Sequence, residues 1–204
     1  MKDNSLPRME YHYSLLNDRS NVKLFNEIRA SFIKRGRDGV IFLYNKTQQE
    51  KSQNLKSEAF FLLGIMKCYE IKEDVYELLN STHDLYVKYK CIVVLGWLGN
   101  NIKDVNLLGE IVKNSSQVDE LRSYAVSALR QIWFKNKKFE GEILNIYKEV
   151  LVRDNDYVLD TTIIACMQDI LRKKWGIIES RYGEISGNVA EAKIKALKYI
   201  SKLN

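Results

Sequence analysis

The sequence contains almost no proline: Pro7 is the one proline among 204 residues, beside ten glycines. An average protein carries about 5% proline, a residue that interrupts helices because it lacks a backbone N–H. Residues 8–204 therefore lack the strongest helix breaker. Sandwiches and barrels need many turns rich in glycine and proline, so this composition argues against both architectures.

Residues that bind metals or act as nucleophiles are equally scarce. The three cysteines, Cys68, Cys91 and Cys166, lie far apart in apolar runs, and there is no CxxC motif. The two histidines, His12 and His83, have no partner at the spacing of a metal site. P-loop, GxGxxG and GxSxG motifs are missing. We therefore expect reduced, buried cysteines, no metal, no cofactor and no enzymatic activity.

Long apolar segments are missing as well. The apolar runs are as short as residues 91–95, whereas a membrane-spanning helix needs about 20 apolar residues. The first residues are polar and show no hydrophobic core of a signal peptide. Lys and Arg number 32 against 26 Asp and Glu, and the net charge of +6 permits nucleic-acid binding without requiring it. We expect a cytoplasmic protein that does not contact membranes and is a monomer when free.

What the sequence does contain is a repeat. Four segments align on large apolar residues about 32 to 38 positions apart, namely Leu63, Leu95, Leu129 and Met167. Four positions upstream stand Ala59, Cys91, Ala125 and Ile163, and eight positions upstream stand Leu55, Val87, Leu121 and Leu159. Positions four residues apart share one helical face, and a shorter amphipathic helix follows in the first three units. Such a period is typical of an α-solenoid.

The clearest unit spans residues 84–99. Its characteristic positions are Asp84, Val87, Lys88, Cys91, Leu95 and Gly96. At these spacings the unit resembles the HEAT-repeat family, with Lys88 in place of the usual arginine and Cys91 in place of the usual alanine. The resemblance covers about residues 50–175. It implies an all-α, right-handed α-solenoid of about five stacked antiparallel helical hairpins. We expect one such domain over residues 21–204, after an N-terminal arm or loosely packed turn over residues 1–20.

The resemblance also carries a functional expectation. HEAT-like solenoids are usually protein-binding scaffolds, and this chain also resembles small bacterial immunity proteins encoded beside polymorphic or contact-dependent inhibition toxins. Its richness in Lys, Asn, Ile and Tyr fits a low-GC bacterial genome. The resemblance implies a non-enzymatic protein that binds one toxin domain, such as a nuclease, and neutralises it.

In the HEAT-repeat family the second helices line a concave inner surface, and the non-core positions of those helices are the expected partner-binding residues here. They are Glu73, Tyr76, Glu77, Asp104, Asn106, Glu110, Glu142, Asn145 and Glu149. The set is acidic although the protein is basic overall. An acidic groove would repel a phosphate backbone and attract a basic protein, so we expect a protein partner rather than nucleic acid.

Two other functions remain open at this stage. Some HEAT-like proteins of this size are alkylpurine DNA glycosylases, which hold DNA in a basic groove with tryptophans and an aspartate. The corresponding residue types here are Trp97, Trp133, Trp175, Lys135, Lys137, Lys138, Arg172, Lys173 and Lys174. The other alternative is a scaffold subunit of a larger assembly.

Overall fold

The computed structural model describes residues 5–18, 20–153, 156–180 and 185–202. Most of these residues are helical. The described residues form eleven α-helices, which are α1 (Ser5–Ser14), α2 (Val22–Lys34), α3 (Arg37–Gln49), α4 (Gln53–Ile65), α5 (Lys72–Ser81), α6 (Leu85–Leu98), α7 (Ile102–Lys113), α8 (Asp119–Lys135), α9 (Glu140–Arg153), α10 (Tyr157–Leu171) and α11 (Val189–Ile200). Strands β1 (Ile178–Glu179) and β2 (Ile185–Ser186) pair antiparallel. The predicted fold class, an all-α helical repeat of the α-solenoid type, is confirmed.

The chain divides into two compact units, Met1–Leu98 (unit 1) and Gly99–Asn204 (unit 2). In unit 1, residues 5–14 of the expected N-terminal arm form α1, and the Leu16 side chain just after it is fully buried. Residues 1–4 and 19 of that arm lie outside the described residues. The expected boundary at residue 20 and the single domain over residues 21–204 stay predictions.

Polar residues at the breaks start the helices, as the sequence pattern indicates. Asn21 accepts the Leu24 N–H at 3.0 Å before α2, and Asp156 accepts the Leu159 N–H at 2.6 Å before α10. These side chains satisfy amides that have no partner in the first helical turn. The polar run over residues 153–155 predicts a break between two repeat units, and residues 154 and 155 lie outside the described residues.

The aligned columns of the repeat form the core of both units. The side chains of the central column are fully buried, and so are those of the column four positions upstream. Within unit 1, α4 packs on α6, and within unit 2, α8 packs on α10 and α7 on α9. Equivalent helices of successive repeats are therefore neighbours, which is how solenoid repeats bury faces that one repeat cannot bury alone.

Small residues set the distance between neighbouring helices. A Cβ placed on Gly64 of α4 would lie 3.2 Å from side-chain atoms of Val94 and Trp97 on α6. A larger residue at position 64 would press against those side chains, so glycine permits the close approach of the two helices.

Two local features differ from the expected pattern. The polar run over residues 47–54 predicts a connection between helices, but α3 continues to Gln49. The Thr47 hydroxyl donates to the Tyr44 carbonyl at 2.7 Å, so this polar side chain is satisfied inside the helix and is fully buried. The second difference is the strand pair β1–β2, which the sequence pattern did not predict. Among the described residues, none of the helices combines the length and apolarity needed to cross a membrane.

Candidate protein-binding surface

Two second helices of unit 2, α7 and α9, approach each other through a glycine. A Cβ on Gly109 would lie 2.7 Å from Cδ1 of Ile146, so the Ile146 side chain of α9 packs directly on the backbone of α7 at that point. Residues within one turn of this contact therefore lie on adjoining surfaces of the two helices. The exposed residues there are Asn106 and Glu110 of α7 and Glu142, Asn145 and Glu149 of α9. We call these five residues the acidic face.

A single lysine joins the two sides of the acidic face. The Lys113 ammonium lies 2.9 Å from a carboxylate oxygen of Glu110 and 3.9 Å from one of Glu149. The hydrogen bond with Glu110 raises the pKa of Lys113. Both glutamates remain more than half exposed, so their carboxylates stay accessible to a partner while Lys113 fixes them near each other.

Two residues expected on the binding surface are buried instead. The Asp104 side chain is fully buried, and its carboxylate accepts the N–H groups of Asn100 at 2.7 Å and Asn101 at 3.0 Å. This carboxylate is part of the capping box of α7 and stabilises the start of that helix. Tyr76 of α5 is 5% exposed and belongs to the core of unit 1. Neither side chain is placed to contact a partner.

The remaining seven expected residues are exposed, and they fall into two groups. Glu73 and Glu77 lie on α5 in unit 1, and the other five form the acidic face in unit 2. The sequence pattern predicted non-core positions for these seven residues, and their side chains are exposed. It could not tell that Asp104 serves as a helix cap.

Each of the three tryptophans contacts another side chain of its own unit. Trp97 packs edge-on against Phe61, with ring centroids 4.9 Å apart. Trp133 is 5% exposed and donates to Glu140 at 2.9 Å, and Trp175 is 7% exposed beside Tyr199. The buried rings of Trp133 and Trp175 cannot stack on an extruded base, as a tryptophan of an alkylpurine glycosylase would have to do.

The cysteines are poor nucleophiles where they stand. Burial raises the pKa of Cys68 to about 11 and the pKa values of Cys91 and Cys166 to about 12. Since the thiolate is the reactive form, these thiols remain protonated and inert near neutral pH. They are core residues, as expected, and the described residues contain no group of three His, Cys, Asp or Glu side chains suited to a metal ion.

His12 has a partner that the sequence did not indicate. Its Nδ1 lies 2.8 Å from the Ser31 hydroxyl, which itself donates to the Ile28 carbonyl at 2.7 Å. When the serine proton goes to that carbonyl, the serine oxygen accepts a proton from Nδ1 of His12. Burial lowers the pKa of His12, and the charges of Arg35 and Arg8 lower it further. The contact ties α1 to α2 and does not activate a nucleophile.

Comparison with known proteins supports the fold but assigns the chain to no family. No protein-family model and no curated protein matches the sequence. A solved structure, the complex of CpcE and CpcF of phycocyanin lyase from Nostoc sp. PCC7120, is similar with a TM-score of 0.66. The sequence identity is 12%, and the alignment covers 79% of this chain and 99% of that chain. The match supports the expected HEAT-like helical repeat.

This comparison corrects two expectations from the sequence. The similar structure is a lyase complex and not an immunity protein, so the expectation of a toxin-neutralising immunity protein is wrong. The expectation of a non-enzymatic protein is contradicted by the same finding. The immunity expectation rested on a resemblance and on composition, and the non-enzymatic expectation rested on missing motifs. A repeat pattern reports how helices pack and not what the surface does. The expectation of a protein partner agrees with the similar structure, which is a complex of two proteins.

Proposed function

We propose that this chain is a helical-repeat subunit of an assembly of protein chains, and that the acidic face binds a basic surface of the partner chain. The observation that carries the proposal is the fold itself, which matches 99% of a chain solved within the CpcE–CpcF complex. Since that complex is a phycocyanin lyase, the assembly proposed here is of the enzyme type.

The acidic face has the properties of a binding surface that attracts a partner by charge. Glu110, Glu142 and Glu149 are exposed on two packed helices, and Lys113 is the cation that contacts two of them. The Arg153 guanidinium donates to the Lys113 carbonyl beside the acidic face. Three carboxylates thus stand against two cations, and the surface keeps a small excess of negative charge although the whole chain carries +6. Complementary charge accelerates encounter and fixes the orientation of the partner, and salt weakens the effect.

The test is purification of the tagged chain from cells that express it naturally, followed by native mass spectrometry. The expected result is a second chain present at a fixed ratio. The variant E110Q/E149Q removes two charges from the acidic face, and we expect about tenfold weaker association at low salt. The matched control is E27Q/E120Q, which removes two exposed glutamates that lie on α2 and α8.

Two results would contradict the proposal. One is a chain that remains monomeric in native mass spectra at every protein concentration tested. The other is a complex whose dissociation constant is the same for E110Q/E149Q as for the control. In the second case the chain would remain an assembly subunit, but the acidic face would not be its interface.

A further inference from the structure

A second charged surface of unit 2 lies where α8 and α10 end, and it has the opposite sign. Phe134, in the last turn of α8, has 51% of its side chain exposed. The Lys137 ammonium lies 5.1 Å from the centre of the Phe134 ring. Five exposed basic residues belong to the segments that follow the two helices: Lys137, Lys138, Arg172, Lys173 and Lys174. We call these six residues the basic end.

The packing of α8 on α10 brings the two segments together. Arg130 of α8 lies 2.8 Å from Asp169 of α10, and each helix ends shortly after that ion pair. The segments that follow, from Lys137 and from Arg172, therefore begin at the same end of the helix pair. The electrostatics agree, because burial lowers the pKa of Lys137 and the nearby charge of Arg172 lowers it further.

Helix dipoles account for only part of this charge. The carboxyl end of a helix is equivalent to roughly half a negative charge, which favours one or two cations there. Two helix ends supply about one unit of negative charge, whereas the basic end carries five cations. Among the residues that the structure describes, Lys138, Arg172 and Lys174 form no ion pair, and all three side chains are exposed.

Arg172 occupies a backbone conformation that does not suit it. Its φ of 52° and ψ of 43° place it in the left-handed region at the end of α10. Glycine is favoured at such positions because any Cβ costs free energy there. The chain keeps an arginine where glycine would be more stable, and the guanidinium side chain is exposed at the basic end.

We propose that the basic end binds an extended acidic segment of the partner chain, with one apolar side chain of that segment resting on the Phe134 ring. The inference rests on the proposed assembly function. Carboxylates border the basic end, namely Glu140, Asp169 and Glu179. They would repel a continuous phosphate backbone, whereas a peptide can place an apolar residue beside them. These observations favour a protein segment over nucleic acid.

The probe is a fluorescein-labelled peptide of about twelve residues, made of glutamate and serine with one central leucine. Fluorescence anisotropy is measured with the full chain at about 50 mM and about 300 mM salt. We expect saturable binding that weakens at high salt, and no binding of a peptide in which lysine replaces glutamate. A single-stranded DNA of similar length and charge is tested in parallel.

Two glycine variants make the test sharp. Arg172→Gly relieves the left-handed backbone and removes one cation, so we expect about fivefold weaker peptide binding with an equal or higher Tm. Lys67→Gly is the matched control, because Lys67 of unit 1 also has a positive φ, 59°. It should raise Tm in the same way and leave peptide binding unchanged. Phe134→Ser should weaken binding of the leucine peptide more than binding of a peptide without leucine.

Equal peptide binding by Arg172→Gly and the wild type would overturn the inference, and so would DNA that binds more tightly than the peptide. The outcome is separable from the test of the assembly. Peptide binding without any partner chain in native mass spectra would contradict the assembly alone. A partner chain that binds Arg172→Gly as tightly as the wild type would contradict the role of the basic end alone.

Discussion

Lys90 of α6 and Glu58 of α4 form a buried ion pair in unit 1, with a nitrogen–oxygen distance of 2.8 Å and 2% of each side chain exposed. The Lys90 ammonium also donates to the Ser57 hydroxyl at 3.1 Å and lies 4.0 Å from the centre of the Tyr86 ring. Burial of two charges is costly, and hydrogen bonds with close geometry offset that cost. The pair therefore links two adjacent repeats through a contact that tolerates little change.

Removal of one partner should destabilise the protein strongly. Glu58→Ala leaves the Lys90 charge buried without its carboxylate, and we expect the free energy of unfolding to fall by about 3 to 5 kcal/mol. The double variant E58L/K90M replaces both charges by apolar groups, and it should be as stable as the wild type within about 1 kcal/mol. Denaturant unfolding measures both. As a control, Glu191→Ala breaks the exposed pair with Lys195 and should have no measurable effect.

Two helical glycines should respond to the same substitution with opposite signs. A Cβ on Gly39 of α3 would collide with the Phe32 carbonyl of α2, a backbone group that cannot move away cheaply. Gly39→Ala should therefore cost about 2 kcal/mol. Gly141 of α9 has open space around its Cβ position, and Gly141→Ala should stabilise the protein by up to about 1 kcal/mol through helix propensity. Thermal unfolding of both variants checks the difference, and destabilisation by Gly141→Ala would contradict it.

The three cysteine thiols should react slowly in the native protein. With pKa values of about 11 for Cys68 and about 12 for Cys91 and Cys166, about one thiol in a thousand or fewer is ionised at pH 8. Ellman's reagent should therefore modify none of them within minutes, and all three at once in denaturant. Rapid reaction of one thiol in the folded protein would show that it is accessible and ionised.

Stability should depend on pH through His12. The pKa of His12 in the folded protein lies below its ordinary value. Above the ordinary value, His12 is neutral in both the folded and the unfolded chain, and its contribution to the free energy of unfolding is complete. As the pH falls through the ordinary pKa, the unfolded chain takes up a proton that the folded chain resists, and the free energy of unfolding decreases. His12→Gln should flatten this slope between about pH 7 and pH 5.5. Ser31→Ala should lower stability at each pH and keep the slope, since the imidazole stays beside Arg8 and Arg35.

The sequence predicted the helices and the buried columns well for a local reason. Residues such as Leu95 and Cys91 share one face of their helix whatever the rest of the chain does, and that face must be buried. The helix starts at Asn21 and Asp156 depend on equally local contacts, because a capping side chain acts on amides only two or three residues away.

Contacts between residues far apart in the chain could not be predicted from the local sequence pattern. Ser31 meets His12, and Glu179 meets Arg130, across many residues of chain. Asp104 was expected to be exposed because it is a polar residue at a non-core position of its helix. Its carboxylate instead accepts the Asn101 N–H at the start of α7 and is buried.

The sequence by itself determined the class of fold, because helix periodicity and the repeat of apolar columns depend on residues close together in the chain. The tertiary structure decided which charges are buried and which are gathered on surfaces. It pairs Lys90 with Glu58 inside unit 1 and gathers Glu110 and Glu149 around Lys113. The functional expectation of immunity failed for the same physical reason. Repeat periodicity encodes the packing of the core, whereas binding depends on exposed side chains that only the packing of separate helices brings together.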